Sequence, residues 1–165
     1  MTNDMCSVSD ISHLPGAPFT EKEVDEAVAA IQGAFGWHVA PEESSTVVLS
    51  VPQMERVLRL PTKHLVSVDE VRIDGVAVSV ADYGVRLESA QVVKRIGFWP
   101  ADYDNIEADF THGFEETPQE LLPLIAEAAA IDRRDESIKP YRLSFDQYDS
   151  GLPRRYSLNW VPGMA

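Results

Sequence analysis

The residue types that most often bind metals or form disulfides are few and widely spaced in this sequence. None of its histidines lies in a His-x-x-x-His or paired-cysteine pattern of the kind that binds zinc. The four are His13, His38, His64 and His112. A single cysteine, Cys6, excludes an intrachain disulfide and favours synthesis in a reducing cytoplasm. His112 can be drawn into a metal site with Glu115 and Glu116, but a loop histidine beside a carboxylate is the favoured interpretation, so we expect no metal.

Signatures of catalysis are also missing from the sequence. There is no Gly-x-Ser-x-Gly elbow, no phosphate-binding loop ending in Gly-Lys-Ser/Thr and no dinucleotide-binding glycine pattern. Cys6 lies in a polar segment without a base to activate its thiol. The carboxylate pairs Glu42-Glu43 and Glu115-Glu116 lie in polar segments where acids are usually solvated. We therefore expect a protein that is not an enzyme and uses no cofactor.

Net charge and hydropathy restrict the class of protein further. The formal net charge is −13, whereas nucleic-acid binding requires clustered lysine and arginine that displace counterions from phosphate. Two interpretations of the acidic excess remain open: a surface that keeps the protein soluble, or one that faces DNA without binding it. No apolar run approaches the roughly 18 residues that span a membrane, and no basic segment precedes an apolar block at the N-terminus. We expect neither a membrane segment nor a secretory signal.

The first clear element is a helix over residues 20–35. Thr20 and Glu23 fit a capping box, in which each side chain bonds the backbone N–H of the other residue. Apolar residues then recur at helical spacing as far as Phe35, and Gly36 supplies a C-terminal stop.

Residues 45–112 alternate with a period of two, which predicts strands. The predicted strands cover 46–51, 56–60, 65–73, 76–80, 84–87, 92–99 and 106–111. Asp74-Gly75 between two of these runs predicts a tight hairpin, because both turn positions require positive φ. Short strands at this spacing favour a small antiparallel sandwich or barrel.

A second helix is predicted over residues 117–134. Thr117 and Glu120 again fit a capping box, with Pro118 at the first helical position. Pro123 removes one backbone hydrogen bond, so it should bend the first turn or delay the start of the helix. The fold class predicted is therefore α+β, with two capped helices flanking a β-sandwich or barrel-like insertion.

The two ends of the chain receive separate predictions. Residues 1–18 lack periodicity and carry Gly16 between two prolines, which is typical of a flexible leader. Residues 135–165 form an extended C-terminal arm that is too aromatic for a solvated tail. Such rings either pack on the chain's own domain or dock on another surface, and we favour the partner surface.

The order of several short motifs resembles a known family. Gly36-Trp37-His38 ends the first helix, Leu60-Pro61-Thr62 ends a strand, and Phe110-Thr111-His112-Gly113 leads into the second helix. This series, over residues 19–134, resembles the head-to-tail adaptor (head-tail connector) proteins of long-tailed actinobacterial phages, of the mycobacteriophage type. Five residues of this region are predicted to fix turns and the ends of helices and strands: Trp37, Pro41, Pro61, Gly75 and Gly113. Pro123 and the arm beyond residue 137 depart from the family pattern.

The resemblance implies a structural virion protein at the head-tail interface. It implies a homo-oligomeric ring, commonly a dodecamer, that binds the portal protein and then a stopper or tail-terminator protein, with the genome DNA passing through its lumen without specific binding. Each ring contact would be heterologous, one face meeting a different face of the neighbour. We expect the arm to dock on the portal or a neighbour through eight residues: Tyr141, Arg142, Phe145, Tyr148, Arg154, Arg155, Tyr156 and Trp160.

Two alternatives from other classes stay open at this point. One is a ligand-binding β-sandwich of the carbohydrate-binding type, with Trp37, Trp99 and Trp160 as stacking platforms for sugars. The other is a carboxylate-based hydrolase, which has less support.

Overall fold

The computed structural model describes residues 5–132 together with Tyr156 and Leu158. The chain divides into two compact units. The first, here called the helical unit, comprises residues 1–41 and 114–165, and the second, the strand unit, is Glu42–Gly113. Both ends of the strand unit therefore connect to the helical unit, as the predicted insertion requires.

Residues 5–11 pack on the helical unit, whereas the sequence predicts a flexible leader over residues 1–18. A short helix, α1, spans Val8–Ile11, and the backbone N–H of Ser7 donates to Asp10 Oδ2 at 2.8 Å. Met5, Cys6 and Ile11 are buried in the core of the helical unit. The apolar residues are too widely spaced to show a period, but their burial stabilises the segment on the domain.

Helix α2 spans Glu21–Phe35 and confirms the first predicted helix. The N–H of Thr20 donates to Glu23 Oε2 at 2.7 Å, and the N–H of Glu23 donates to Thr20 Oγ1 at 3.4 Å, so the capping box is formed. Gly36 ends the helix in the left-handed region with φ of 80°. The buried stripe of α2 consists of Val24, Ala27, Val28, Ile31 and Phe35.

Helix α3 spans Leu122–Asp132 and begins later than predicted. A 3-10 turn, Gln119–Leu121, precedes it, and the N–H of Leu121 donates to Pro118 O at 2.8 Å. The predicted capping box at Thr117 does not form: Pro118 is the N-cap of the 3-10 turn and no side chain caps it, while the Thr117 hydroxyl donates to the carbonyl of Met5. Pro123 is the second residue of α3, where a missing N–H costs nothing, so the predicted delay of this helix is confirmed.

Seven strands make up two antiparallel sheets in the strand unit. In chain order they are β1 Glu43–Val51, β2 Val57–Arg59, β3 Leu65–Ile73, β4 Val76–Ala77, β5 Tyr83–Arg86, β6 Gln91–Lys94 and β7 Asp102–His112. One sheet has the order β1-β7-β3-β4 and the other the order β2-β6-β5. Asp74 and Gly75 link β3 to β4 with φ of 51° and 76°, and Ile73 pairs with Val76, which confirms the hairpin.

Three of the predicted strands are shorter in the structure, and the one predicted over 56–60 spans only Val57–Arg59. The return strand predicted over 76–80 ends at Ala77, and Val80–Asp82 forms a 3-10 turn in which Ser79 accepts from the N–H of Ala81. The strand predicted over 92–99 ends at Lys94, since the chain turns at Gly97 with φ of 75°. Trp99 then pairs with Glu55 as an isolated bridge.

Both sheets of the strand unit bury one face in a shared core. The buried members are Val51, Leu58, Leu60, Leu65, Val71, Tyr83, Ala90, Val92, Trp99, Ile106, Ala108 and Phe110. The architecture is α+β, as the sequence predicts. No helix among the residues described is long and apolar enough to cross a membrane.

Candidate functional site

Three histidines are held by structural hydrogen bonds. His38 Nε2 bonds the carbonyl of Pro41, and His64 Nδ1 lies 2.9 Å from the carbonyl oxygen of Gly113. His112 Nε2 lies 3.1 Å from Ser45 Oγ, with Glu43 Oε1 at 3.8 Å. Within residues 5–132, no group of three or more histidine, cysteine or acidic side chains is arranged to hold a metal ion. These rings hold loops and strand ends in place.

Cys6, the only thiol of the chain, is buried in the helical unit. Burial, with a smaller contribution from the negative charge of Asp10, raises its pKa to about 11. A thiol with this pKa stays protonated near neutral pH, and the thiolate is the nucleophilic form. Cys6 is therefore a core residue rather than a nucleophile.

Of the eight predicted docking residues, Tyr156 is the one that the structure places. Its ring is buried, with its centroid 5.7 Å from that of Phe35 and 6.1 Å from that of Phe114. Its hydroxyl donates to Glu120, and its carbonyl accepts from the indole N–H of Trp37. Tyr156 thus packs on its own domain, the alternative that we did not favour for this segment.

The chain continues this contact beyond Tyr156. The backbone N–H of Leu158 donates to the carbonyl of Phe35 at 2.8 Å, at the C-terminal end of α2. The other predicted docking residues, Tyr141, Arg142, Phe145, Tyr148, Arg154, Arg155 and Trp160, lie outside the described residues.

The residues predicted to fix turns and the ends of helices and strands lie at such positions. Trp37 is buried just after α2, and Pro41 follows it at the end of that segment of the helical unit. Pro61 is exposed at a corner where the N–H of Thr62 donates to the carbonyl of Leu60 at 2.9 Å. Gly113 ends the strand unit with φ of 97°, and its N–H donates to the carbonyl of His64 at 3.0 Å.

The tryptophans do not form the sugar-stacking platform of the carbohydrate-binding alternative. Trp99 is fully buried and Trp37 is 6% exposed, so neither ring presents a face to a ligand. Trp160 lies outside the described residues. A stacking site needs an accessible aromatic face, and burial of two of its three proposed members removes the basis for that alternative.

A cluster of charged residues that the sequence analysis missed covers the outer side of the four-stranded sheet. Arg72 Nε donates to Glu107 Oε2 at 2.9 Å, Arg72 Nη1 donates to Asp109 Oδ2 at 2.7 Å, and Arg72 also bonds Glu70. Hydrogen bonds from Thr46 and then from Arg72 hold the pKa of Asp109 below its usual value. The same carboxylates raise the pKa of Arg72. The signal was present in the alternation Glu70-x-Arg72 and Glu107-x-Asp109, which puts these side chains on one face of paired strands.

Comparison with solved structures finds this fold in gene transfer agent particles. A chain in the neck of a native gene transfer agent particle, determined with C12 symmetry, matches with a TM-score of 0.65 and 17% identity over 99% of this chain and 98% of that one. A chain in the neck of an empty gene transfer agent particle, determined with C6 symmetry, matches with a TM-score of 0.64 and 16% identity over the same shares. A chain in the virion of the native particle matches with a TM-score of 0.58 and 16% identity over 98% and 97%.

These matches show that this chain shares its fold with a component of such necks. No protein-family model matches the sequence, and no curated protein matches it either.

Proposed function

We propose that this chain is a structural subunit of a phage-like particle, a head-to-tail adaptor in the neck between the capsid portal and the tail. The observation that carries the proposal is the match along almost the full length of both chains to a neck component, at a TM-score of 0.65. The motif series from Trp37 to Gly113 supports the same role independently. The described residues contribute bonded histidines and a buried, protonated thiol, which fits a protein that builds rather than catalyses.

Within that role we propose a homo-oligomeric ring, with 12 copies suggested by the C12 symmetry of the matching neck. The ring would bind the portal protein on one side and a stopper or tail-terminator protein on the other. It would belong to the virion after synthesis in the host cytoplasm. The net charge of −13 per copy suits a passage through which genome DNA slides without binding, because like charge repels phosphate.

The C-terminal arm is proposed to dock on the portal or a neighbouring subunit through the seven residues other than Tyr156. Replacing Tyr141, Phe145 and Tyr148 together with alanine tests this proposal, because it leaves Tyr156 itself unchanged. We expect weaker capture of the portal protein with an unchanged melting temperature. Truncation after Ile138 is a less specific test, since it also removes Tyr156 from the core of the helical unit.

The proposed function is tested by locating the chain in assembled particles. Particles carrying an affinity-tagged copy are purified and imaged by cryo-electron microscopy with the symmetry axis of the neck imposed. We expect a ring of this fold directly beneath the portal. Finding the chain only in the head shell or tail tube, or absent from particles, would overturn the adaptor role.

A further inference from the structure

The outer surface of the three-stranded sheet carries arginines and no carboxylate on its strands. Leu58 and Val92 face the core, so the alternate positions of β2 and β6 face outward. Arg59, Gln91 and Arg86 are paired across β2, β6 and β5 and form one row on this outer surface. Both arginines of the row are exposed, and neither forms an ion pair with any residue that the structure describes.

A third arginine extends the same surface. Arg95 follows β6 and is exposed, and its Nη2 lies 3.9 Å from where a Cβ on Gly84 would stand, so its guanidinium covers the outward side of β5. Arg95 Nε donates to the carbonyl of Tyr83 at 2.9 Å, which fixes the group in this position. We call the surface formed by Arg59, Arg86 and Arg95 the arginine face.

The other sheet presents the opposite charge. Its outer surface carries Glu70, Glu107 and Asp109 around Arg72, so three carboxylates surround one guanidinium and negative charge is in excess. The side chains of Glu70 and Glu107 are 44% and 40% exposed, so a partner can reach them. We call this surface the acidic face. Because both sheets bury their inner sides in one core, the arginine face and the acidic face point away from that core on different sheets.

We infer that the arginine face of one copy docks on the acidic face of the next copy in the ring; this inference rests on the proposed function. A ring needs two different, complementary patches on each subunit, and the strand unit carries such a pair. Copies with a net charge of −13 repel one another, so a stable contact has to bring cations against carboxylates. Arginine suits this role, because its planar group bonds a carboxylate through two parallel N–H donors.

A second copy fits the arginine face better than DNA does. Val57 and Val93 are paired across β2 and β6 on the outward side, next to the row of Arg59 and Arg86. Half-buried apolar side chains between charges are typical of a protein interface and contribute nothing to binding a phosphate backbone. The acidic excess of the chain also opposes approach of DNA.

The test compares self-association of charge-reversed full-length chains by sedimentation velocity at low salt. We expect the wild type to associate with rising concentration, and R59E/R86E to associate at least about tenfold more weakly because the facing charges become alike. The matched control is K22E/K63E, which makes the same change in charge at exposed lysines outside both faces and should associate like the wild type. Melting temperatures of all variants show whether each chain is folded.

Reversal of the acidic face completes the test. E70K/E107K leaves Arg72 bonded to Asp109 and should also associate at least about tenfold more weakly. An equimolar mixture of R59E/R86E and E70K/E107K should associate again, since the two reversed faces are complementary and the unchanged acidic face of the first variant meets the unchanged arginine face of the second. Association of R59E/R86E equal to that of the wild type would overturn the inference, and so would a wild type that stays monomeric at every concentration.

Failure of this interface and failure of the adaptor role give different results. A ring seen beneath the portal in particles, with the two faces apart, would leave the adaptor role in place and overturn the interface alone. A short labelled DNA duplex, followed by fluorescence anisotropy at low salt, tests the other occupant. We expect the wild type not to bind the duplex. Binding that R59E/R86E abolishes would show that the arginine face binds DNA, and it would overturn the inference that a second copy docks there.

Discussion

Arg72 shows how a surface residue can order one face of a sheet without contributing to its core. Its guanidinium bonds carboxylates on its own strand and on β7, and Thr46 on β1 donates to Asp109 at 2.6 Å. Three neighbouring strands are therefore linked by side chains on the outer side of the four-stranded sheet. The geometry also ties the folded state to the ionisation of Asp109, whose pKa is held low by these bonds.

Stability should therefore depend on the charge of Asp109. A carboxyl whose pKa is lower in the folded state stabilises that state above its unfolded pKa of about 4, and the stabilisation is lost as the pH falls through the folded value. Asp109→Asn should thus be less stable than the wild type at neutral pH, and the difference should shrink towards about pH 2.5. Urea unfolding at both pH values measures it. Thr46→Val removes the hydrogen bond that contributes most to the lowered pKa of Asp109, so this variant should lose stability at a higher pH than the wild type. If Asp109→Asn were less stable than the wild type by the same amount at both pH values, the account would be contradicted.

Tyr156 illustrates a contact that sequence reasoning did not find. Its aromatic character suggested a docking role, but the ring fills a site between Phe35 and Phe114, both of which are distant from it along the chain. No local period marks such a residue, because its partners belong to other elements. Only the tertiary structure distinguishes an aromatic residue that packs in the core of its own chain from one that binds another protein.

Replacing Tyr156 should destabilise the isolated chain. Tyr156→Ala removes a buried ring and should lower the free energy of unfolding by about 3 kcal/mol. Tyr156→Phe keeps the ring and removes the hydroxyl that donates to Glu120, so it should cost about 1 kcal/mol. Chemical denaturation followed by tryptophan fluorescence measures both. An alanine variant as stable as the wild type would instead indicate that Tyr156 acts only in a partner contact.

At the scale of elements, the sequence correctly predicted the helix start and the hairpin turn that depend on residues close together in the chain. The capping box of Thr20 and Glu23 set the start of α2, and Asp74-Gly75 set the hairpin between β3 and β4. The start of α3 was predicted less well, because the Thr117 hydroxyl has a partner, Met5, that is distant in sequence. The long strand predicted over 92–99 ends at Lys94, because the chain turns at Gly97 before the backbone of Trp99 forms an isolated bridge with Glu55.

Two glycines allow the backbone argument to be tested by one substitution with opposite results. Gly33 lies inside α2 with nothing near its missing Cβ, so Gly33→Ala should raise the free energy of unfolding by about 0.5–1 kcal/mol. Gly75 also has open space, but its φ of 76° strains any residue with a Cβ, and Gly75→Ala should cost about 1 kcal/mol. Thermal unfolding of both variants checks the signs, and a shift in the same direction for both would refute the assignment of backbone conformation as the cause.

At the scale of the whole molecule, the sequence predicted the order of the elements better than the surfaces they form. Alternation identified most strands, yet it did not show that Arg59 and Arg86 share a row, because that depends on the register of β2 and β5 against β6. The opposite charges of the two outer faces follow from that register and from the pairing of β3 with β7. A function that depends on a surface formed by several strands is for this reason harder to predict from sequence than one that depends on a compact catalytic motif.

The division into two units predicts that the strand unit is an autonomous insertion. Glu43 pairs with His112, so the ends of the unit are adjacent, and its core contains the fully buried Trp99. Within the helical unit, the N–H of Phe114 donates to the carbonyl of Val39 at 2.7 Å, so the ends that flank the insertion are also adjacent. Each unit thus has a core of its own and termini that a short link can close.

Residues 42–113 expressed alone should therefore fold cooperatively. We expect a dispersed NMR spectrum and a single thermal transition, and Trp99→Ala in the same fragment should abolish both because it empties the centre of the core. A full-length chain in which residues 42–113 are replaced by a short glycine link should keep its helical circular dichroism, since Val39 and Phe114 are already in contact. If the fragment gave no dispersed signals although the full-length chain is folded, the strand unit would depend on the helical unit for its stability. It would then not be an insertion that folds on its own.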